Sequence, residues 1–152
     1  MTRIAVAADH AGFPLKKLVI EYLQKEGFDV RDLGTHNTDP VDYPDFARAI
    51  AEAIRSGDCT EGVLLCGSGV GASVAANKFP GIRAGLCHDT YSGHQSREHD
   101  DCNVLCMGPR VIGEKVAMEI LAAWAHAKFT DEERHKHRLE KVAAIEKQFL
   151  KS

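Results

Sequence analysis

The segment Leu64-Leu65-Cys66-Gly67-Ser68-Gly69-Val70-Gly71-Ala72-Ser73 ends an apolar run in a thiol and follows it with three glycines at alternate positions. A thiol at the carboxyl end of a strand is placed for nucleophilic or base chemistry, provided the thiolate is accessible. Alternating glycines let the backbone turn sharply and bring its N–H groups close to a ligand, which suits anionic oxygens. The segment from Ala72 to Lys78 reads as a helix start, and the partial positive charge there would favour a thiolate at Cys66. The plainer alternative is a tight strand-to-helix turn around a buried, inert cysteine. The hydroxyls of Ser68 and Ser73 in the same loop favour the functional reading.

Other chemistries fit this loop less well. Gly67-x-Gly69-x-x-Ala72 matches a dinucleotide fingerprint in form, with Asp89 near the distance of a ribose-binding acid, but it opens the third strand-helix unit rather than the first. A cysteine phosphatase would need an arginine in the loop from Gly67 to Ser73, and there is none. A phosphorylated receiver domain would need an aspartate where Cys66 stands. His99-x-x-Cys102-x-x-x-Cys106 has imidazole and thiol groups, yet its spacing is not that of a zinc site, and Cys106 falls inside a strand pattern. No metal is expected. His10 and His99 stand out among the histidines because each lies in a loop beside an acid, Asp9 or Asp100, whereas His36, His126 and His135 read as surface residues.

The elements that must carry these loops alternate. Apolar runs at Ile4 to Ala8, Phe28 to Leu33, Gly62 to Cys66, Ile82 to Cys87 and Asn103 to Met107 read as buried strands. Helical patterns lie between them. Pro14 can open the first helix and Gly27 close it, while the pattern from Pro44 to Ile54 ends at Gly57. Right-handed crossovers then give a Rossmann-like α/β domain of three layers, a five-stranded parallel sheet with helices on both faces. Ligands in such a sheet bind at the carboxyl ends of the strands, which points to the loops at Asp9-His10, Cys66 to Ser73, His88-Asp89 and Gly108 to Arg110. A long helix is expected over Val111 to Ala127, and a final helical arm over about 130–150 carries Leu139, Val142, Ile145 and Phe149 as an apolar stripe. Such an arm docks on a partner subunit or packs back on its own domain. Arg134, His137, Arg138 and Lys141 share one of its faces, a solvated basic strip unless it meets an anion.

Residues 1–152 are the length of one domain, and 44% hydrophobic content is enough for a core without staples. A net charge of −3 with no basic block argues against nucleic acid or a membrane surface as partner. No apolar run approaches the ~20 residues that a bilayer span needs. Cysteines at 59, 66, 87, 102 and 106 form no Cys-x-x-Cys pair, and the amino terminus leads straight into a strand, so a reduced cytoplasmic protein is expected.

Asp9-His10-Ala11-Gly12, Asp42-Tyr43-Pro44, Cys66 to Gly71, Ala75-Ala76-Asn77-Lys78, Gly81-Ile82-Arg83-Ala84 and His99 to Leu105 occur in this order. On these motifs the chain closely resembles the ribose-5-phosphate isomerase B family, which also holds galactose-6-phosphate and allose-6-phosphate isomerases. The match runs from the first strand to the last helix. The resemblance implies interconversion of an aldose phosphate and a ketose phosphate through a cis-enediolate, without metal or organic cofactor. Cys66 would be the base, Ser68 a relay between the two sugar oxygens, and His99 the group that opens the furanose ring. Asp9, Gly67, Gly69, Val70, Gly71, Asp100 and Asn103 would line the sugar, with the glycine amides facing the oxyanion.

For the phosphate, the resemblance implies His10 and Arg110 from one subunit with Arg134 and Arg138 from the arm of another. A homodimer or homotetramer with shared sites would follow, and the basic strip would have its anion. Relatives usually carry asparagine at the position of Asp100 and serine at that of Pro109. An ionised Asp100 accepts hydrogen bonds only and repels an enediolate, so it points away, stays protonated or marks a different sugar. Ribose 5-phosphate is the first expectation; allose 6-phosphate, galactose 6-phosphate and a tetrose phosphate are the others, with the loops Asp32 to Asp45 and Tyr91 to Asp101 setting the length accepted. A catalytically silent sugar-phosphate-binding subunit is the competing class.

Overall fold

Along β1 (Arg3–Ala8) alternate side chains leave the sheet on opposite sides, and this alternation seeds two cores. Ile4, Val6 and Ala8 join Leu15, Val19 and Leu23 of α1 (Phe13–Lys25) and Ala117, Ile120, Leu121 and Trp124 of α5 (Glu114–His126). Ala5 and Ala7 face the other way, toward Ala47, Ile50 and Ala51 of α2 (Tyr43–Arg55) and Ala72 and Ala76 of α3 (Val70–Ala76). Fully buried side chains such as Ile4, Leu23, Ile50 and Leu64 each contribute roughly 1.5–3 kcal/mol. A computed structural model describes residues 2–151; Met1 and Ser152, the ends of the expected domain, lie outside the described residues.

The remaining strands are β2 (Asp29–Asp32), β3 (Glu61–Leu65), β4 (Ala84–Leu86) and β5 (Val104–Met107), and all pairings are parallel in the order β2-β1-β3-β5-β4. The order reverses between β1 and β3, so a crevice opens where the loops after these two strands diverge. Asp9 and His10 follow β1, and Cys66 follows β3.

The helix ends expected from Pro14, Gly27 and Gly57 are present, with Gly27 and Gly57 at φ +90° and +83°. Two expectations change. Residues 91–101, read as a loop, are largely helical: α4 (Thr90–Glu98) has almost no apolar periodicity and is fixed by its cap, Asp89, which accepts from Ser92 N–H (2.7 Å) and Ser92 Oγ (2.8 Å). The long helix begins at Glu114 rather than Val111, because Val111 and Ile112 give their N–H groups to Gly108 O in a turn. The arm is α6 (Glu133–Phe149), and its Val142, Ile145 and Phe149 are 50, 60 and 72% exposed. Among the described residues no helix is long and apolar enough to cross a membrane.

Candidate active site

The turn after β3 is built around the sulfur. Gly69 takes φ +79°, a left-handed backbone that an L side chain rarely adopts, and this points its N–H back at Cys66 Sγ across 3.1 Å. Val70 N–H donates to Ser68 Oγ (3.2 Å), which leaves the serine hydroxyl proton available to another acceptor. Cys66 itself is buried beside β5, where its N–H donates to Met107 O. Asp9 adjoins this turn: its N–H donates to Leu65 O, and its Oδ1 accepts from the N–H groups of Ala11 and Gly12, both at 2.9 Å. One carboxylate oxygen of Asp9 is therefore committed to the entry of α1.

Two histidines on this edge have their tautomers set by backbone donors. Val41 N–H donates to His10 Nδ1 (3.1 Å), so the His10 proton sits on Nε2 and faces outward as a donor. Gly108 N–H donates to His88 Nε2 (3.1 Å), and burial pushes the His88 imidazole below its ordinary value while Asp89 opposes the shift. His88 thus supports the turn that carries Arg110. That turn closes on the cysteine loop through Arg110 N–H to Gly67 O (3.0 Å), and the Arg110 side chain lies over Gly67. The Tyr43 ring stands over Gly71, 2.7 Å from where a β-carbon would be, and forms a wall of the crevice.

The other expected residues lie elsewhere. Gly62 N–H donates to Asn103 O (2.8 Å), so Asn103 is level with the start of β3, whereas Cys66 follows its end. Four residues of strand at ~3.3 Å each separate the two by roughly 13 Å. Helix α4 returns from the carboxyl end of β4 to this amino edge, and His99 is its C-cap. One chain therefore gathers Asp9, His10, Cys66, Gly67, Ser68, Gly69, Val70, Gly71 and Arg110 at one edge of the sheet. It holds His99, Asp100, Asn103, Arg134 and Arg138 at the other.

At the amino edge, Gln95 Nε2 lies 3.3 Å from His99 Nδ1 and donates to Asp100 Oδ2 (3.0 Å). Glu98 Oε1 is 3.4 Å from His99 Nε2. Arg134 is exposed and pairs with Glu132 at 2.5 Å, and Arg138 is exposed one turn later. The Asn103 amide meets backbone at both ends, accepting from Arg83 N–H and donating to Gly81 O, each at 2.8 Å. It thereby ties the entry of β4 to that of β5. His135, read from the sequence as a surface residue, is instead buried against His99, with ring centroids 4.2 Å apart. Its signal was spacing: His135 extends the stripe of Leu139 and Val142 back by one turn. Tyr43 lies in the Asp42-Tyr43-Pro44 motif and His88 in a loop expected at the carboxyl edge, whereas Gln95 carried no comparable signal.

Cys102 and Cys106 are buried, and burial pushes the Cys102 thiol up to about 12 and the Cys106 thiol well above its ordinary value. Both behave as small core residues. Among the described residues no three His, Cys, Asp or Glu side chains stand where they could hold a metal ion.

The family model described as Ribose/Galactose Isomerase matches residues 4–142. Ribose-5-phosphate isomerase B of Escherichia coli K12 is 44% identical over 146 residues, covering 96% of this chain and 97% of that protein. D-erythrulose-4-phosphate isomerase of Pectobacterium atrosepticum is 44% identical over 131 residues, 85% of this chain and 86% of the relative. The structure of Clostridium thermocellum ribose-5-phosphate isomerase B superposes with a TM-score of 0.94 at 44% identity, over 97% of this chain and 99% of that one. Matched along nearly its whole length in both sequence and fold, the chain belongs to the ribose/galactose isomerase family of enzymes.

Proposed function

We propose that the chain interconverts ribose 5-phosphate and ribulose 5-phosphate, with Cys66 as the base and each active site completed by a second copy of the chain. The observation that carries the shared site is the division of its residues between opposite edges of the sheet: the base and the ring-opening histidine belong to one reaction, and a single chain keeps them apart.

The open-chain aldose offers its C2 proton to the Cys66 thiolate. The electrons left at C2 form the C1=C2 bond of the enediolate, and O1 gains a proton. Return of the proton from sulfur to C1 and loss of the proton on O2 give the ketose, with Ser68 Oγ passing the hydroxyl proton between O2 and O1. The amides of the Gly67 to Gly71 turn other than those given to Cys66 Sγ and Ser68 Oγ face the developing oxyanion, where a preorganised donor is worth ~3–4 kcal/mol. Asp9 holds a sugar hydroxyl. His10 Nε2–H and Arg110 take the phosphate from one side, and Arg134 and Arg138 of a second copy take it from the other, the planar guanidinium forks pairing with its oxygens. His99 of that second copy protonates the ring oxygen to open the furanose. The exposed stripe of Val142, Ile145 and Phe149 supports docking of the arm in a homodimer or homotetramer. Five unpaired cysteines suit a reducing cytoplasm.

A second reading, a four-carbon substrate, is favoured by the equal identity to D-erythrulose-4-phosphate isomerase of Pectobacterium atrosepticum. Turnover of ribose 5-phosphate, erythrose 4-phosphate, allose 6-phosphate and galactose 6-phosphate in D2O decides among them. A ketose carrying deuterium at C1, acquired when the sulfur-bound proton exchanges with solvent at the enediolate stage, and loss of turnover with Cys66→Ala support the proposal; turnover undiminished in Cys66→Ala overturns it.

A further inference from the structure

His135 is 3% exposed on a helix that otherwise faces solvent. A buried imidazole gives up hydration and rotamer freedom, so its surroundings must compensate. Three contacts do so. Its ring stacks on His99, with centroids 4.2 Å apart and planes 27° apart. Its Nδ1 lies 2.7 Å from Thr130 Oγ1. Thr130 is in turn tied to the end of α4, donating its N–H to Glu98 O (3.0 Å).

His99 is thereby held from three directions. Gln95 meets Nδ1, Glu98 meets Nε2, and His135 covers one face. A Gln95 amide proton at Nδ1 leaves the His99 proton on Nε2. The contacts from Gln95 and Glu98 come from the same helical turn as His99 itself, whereas His135 joins the ring to α6. Arg134 precedes His135 and Arg138 follows it by three residues, so the stack also fixes the arginines relative to the His99 ring.

We propose that His135 is a positioning residue that joins the His99 ring and the arm carrying Arg134 and Arg138 into one rigid unit, which enters the site of a second copy with the ring-opening group and the phosphate grip at fixed spacing. The inference rests on the role of His99 in the proposed function. Ribose 5-phosphate closes to a furanose and needs opening. Erythrose 4-phosphate has its O4 esterified and cannot close, so it does not need His99, although it shares the phosphate.

Steady-state kinetics of the unsubstituted protein, His135→Ala and His135→Phe on both sugars separates positioning from a general structural role. For His135→Ala, kcat on ribose 5-phosphate falls roughly 10–100-fold while kcat on erythrose 4-phosphate stays within about 3-fold, and KM rises for both. His135→Phe keeps a ring plane against His99 and recovers most of the loss. An equal fall of kcat on both sugars, or no fall on either, overturns the proposal. Nitrogen-15 and carbon-13 relaxation spectra of the His99 ring test it without turnover: an immobile ring in the unsubstituted protein and a more mobile one in His135→Ala support it, and equal mobility overturns it. If neither sugar turns over, the proposed function fails and these spectra still decide the positioning role.

Discussion

The Arg110 side chain lies across the α-carbon of Gly67, with Cδ 3.1 Å and Nη1 3.2 Å from the place a β-carbon would occupy. Glycine at 67 is thus what lets a guanidinium stand beside the cysteine turn. The obstruction to a methyl group is the far part of a flexible side chain, so Gly67→Ala folds but moves the cation. KM for the sugar phosphate rises about 10-fold, equivalent to ~1.4 kcal/mol, with a smaller change in kcat, since the phosphate is held in ground and transition states alike. Steady-state kinetics beside a melting curve checks this; an unchanged KM removes Arg110 from the phosphate site.

His88 makes the same turn sensitive to acid. Burial holds its folded value below the ordinary 6.5, against the pull of Asp89. The unfolded chain takes up a proton near that ordinary value while the folded one resists, so the contribution of His88 is complete above pH 6.5 and declines as pH falls toward the depressed folded value. Once His88 is protonated, Gly108 N–H loses its acceptor and the turn bearing Arg110 loosens. Melting temperatures at pH 7 and pH 5 should therefore differ less in His88→Gln than in the unsubstituted protein. Equal differences would show that His88 does not titrate in this way.

At the end of β2, Lys16 is buried to 4% exposure and pairs with Asp32 at 2.6 Å, while Asp32 also accepts from Gly34 N–H at 2.9 Å. Burial pushes the Asp32 carboxyl up, but the bonds from Lys16 and Gly34 outweigh it and hold the group below its ordinary 3.8. A depressed carboxyl stabilises the fold well above pH 3.8, and that contribution is lost as pH falls below it. Asp32→Asn leaves a buried ammonium without its counter-charge and costs about 1–2 kcal/mol at pH 7, discounted for the water around the partly exposed carboxylate. Urea denaturation at pH 7 and at pH 3 checks it: the two proteins should converge at the lower pH, and a constant gap contradicts the ion-pair explanation.

Much of the fold was legible because its signals are local. Ile4, Val6 and Ala8 against Ala5 and Ala7 give a strand buried on both faces, and Gly27 and Gly57 stop helices wherever they occur in such a pattern. The place of Cys66 at the carboxyl end of β3 was legible from the apolar run before it and the alternating glycines after it. Helix α4 was not, since Thr90 to Glu98 bury little more than Gly93 and Ser96 and owe their conformation to the Asp89 cap. The burial of His135 depends on a turn at Thr130 that brings α6 against α4, a contact between segments with no common periodicity. The backbone bonds of the Asn103 amide to Gly81 and Arg83 were not legible either, since they depend on how β4 and β5 meet in the sheet.

The separation of Cys66 and His99 to opposite edges of the sheet makes a direct demand on assembly. Cys66→Ala and His99→Ala chains, each nearly inactive alone on ribose 5-phosphate, are mixed in equal amounts, unfolded, refolded together and assayed. Random pairing makes half of the dimers mixed, each with one intact and one doubly defective site, so activity should return to about a quarter of that of the unsubstituted protein. A mixture no more active than its two components would mean that each chain completes its own site, and would contradict a catalytic centre shared between copies.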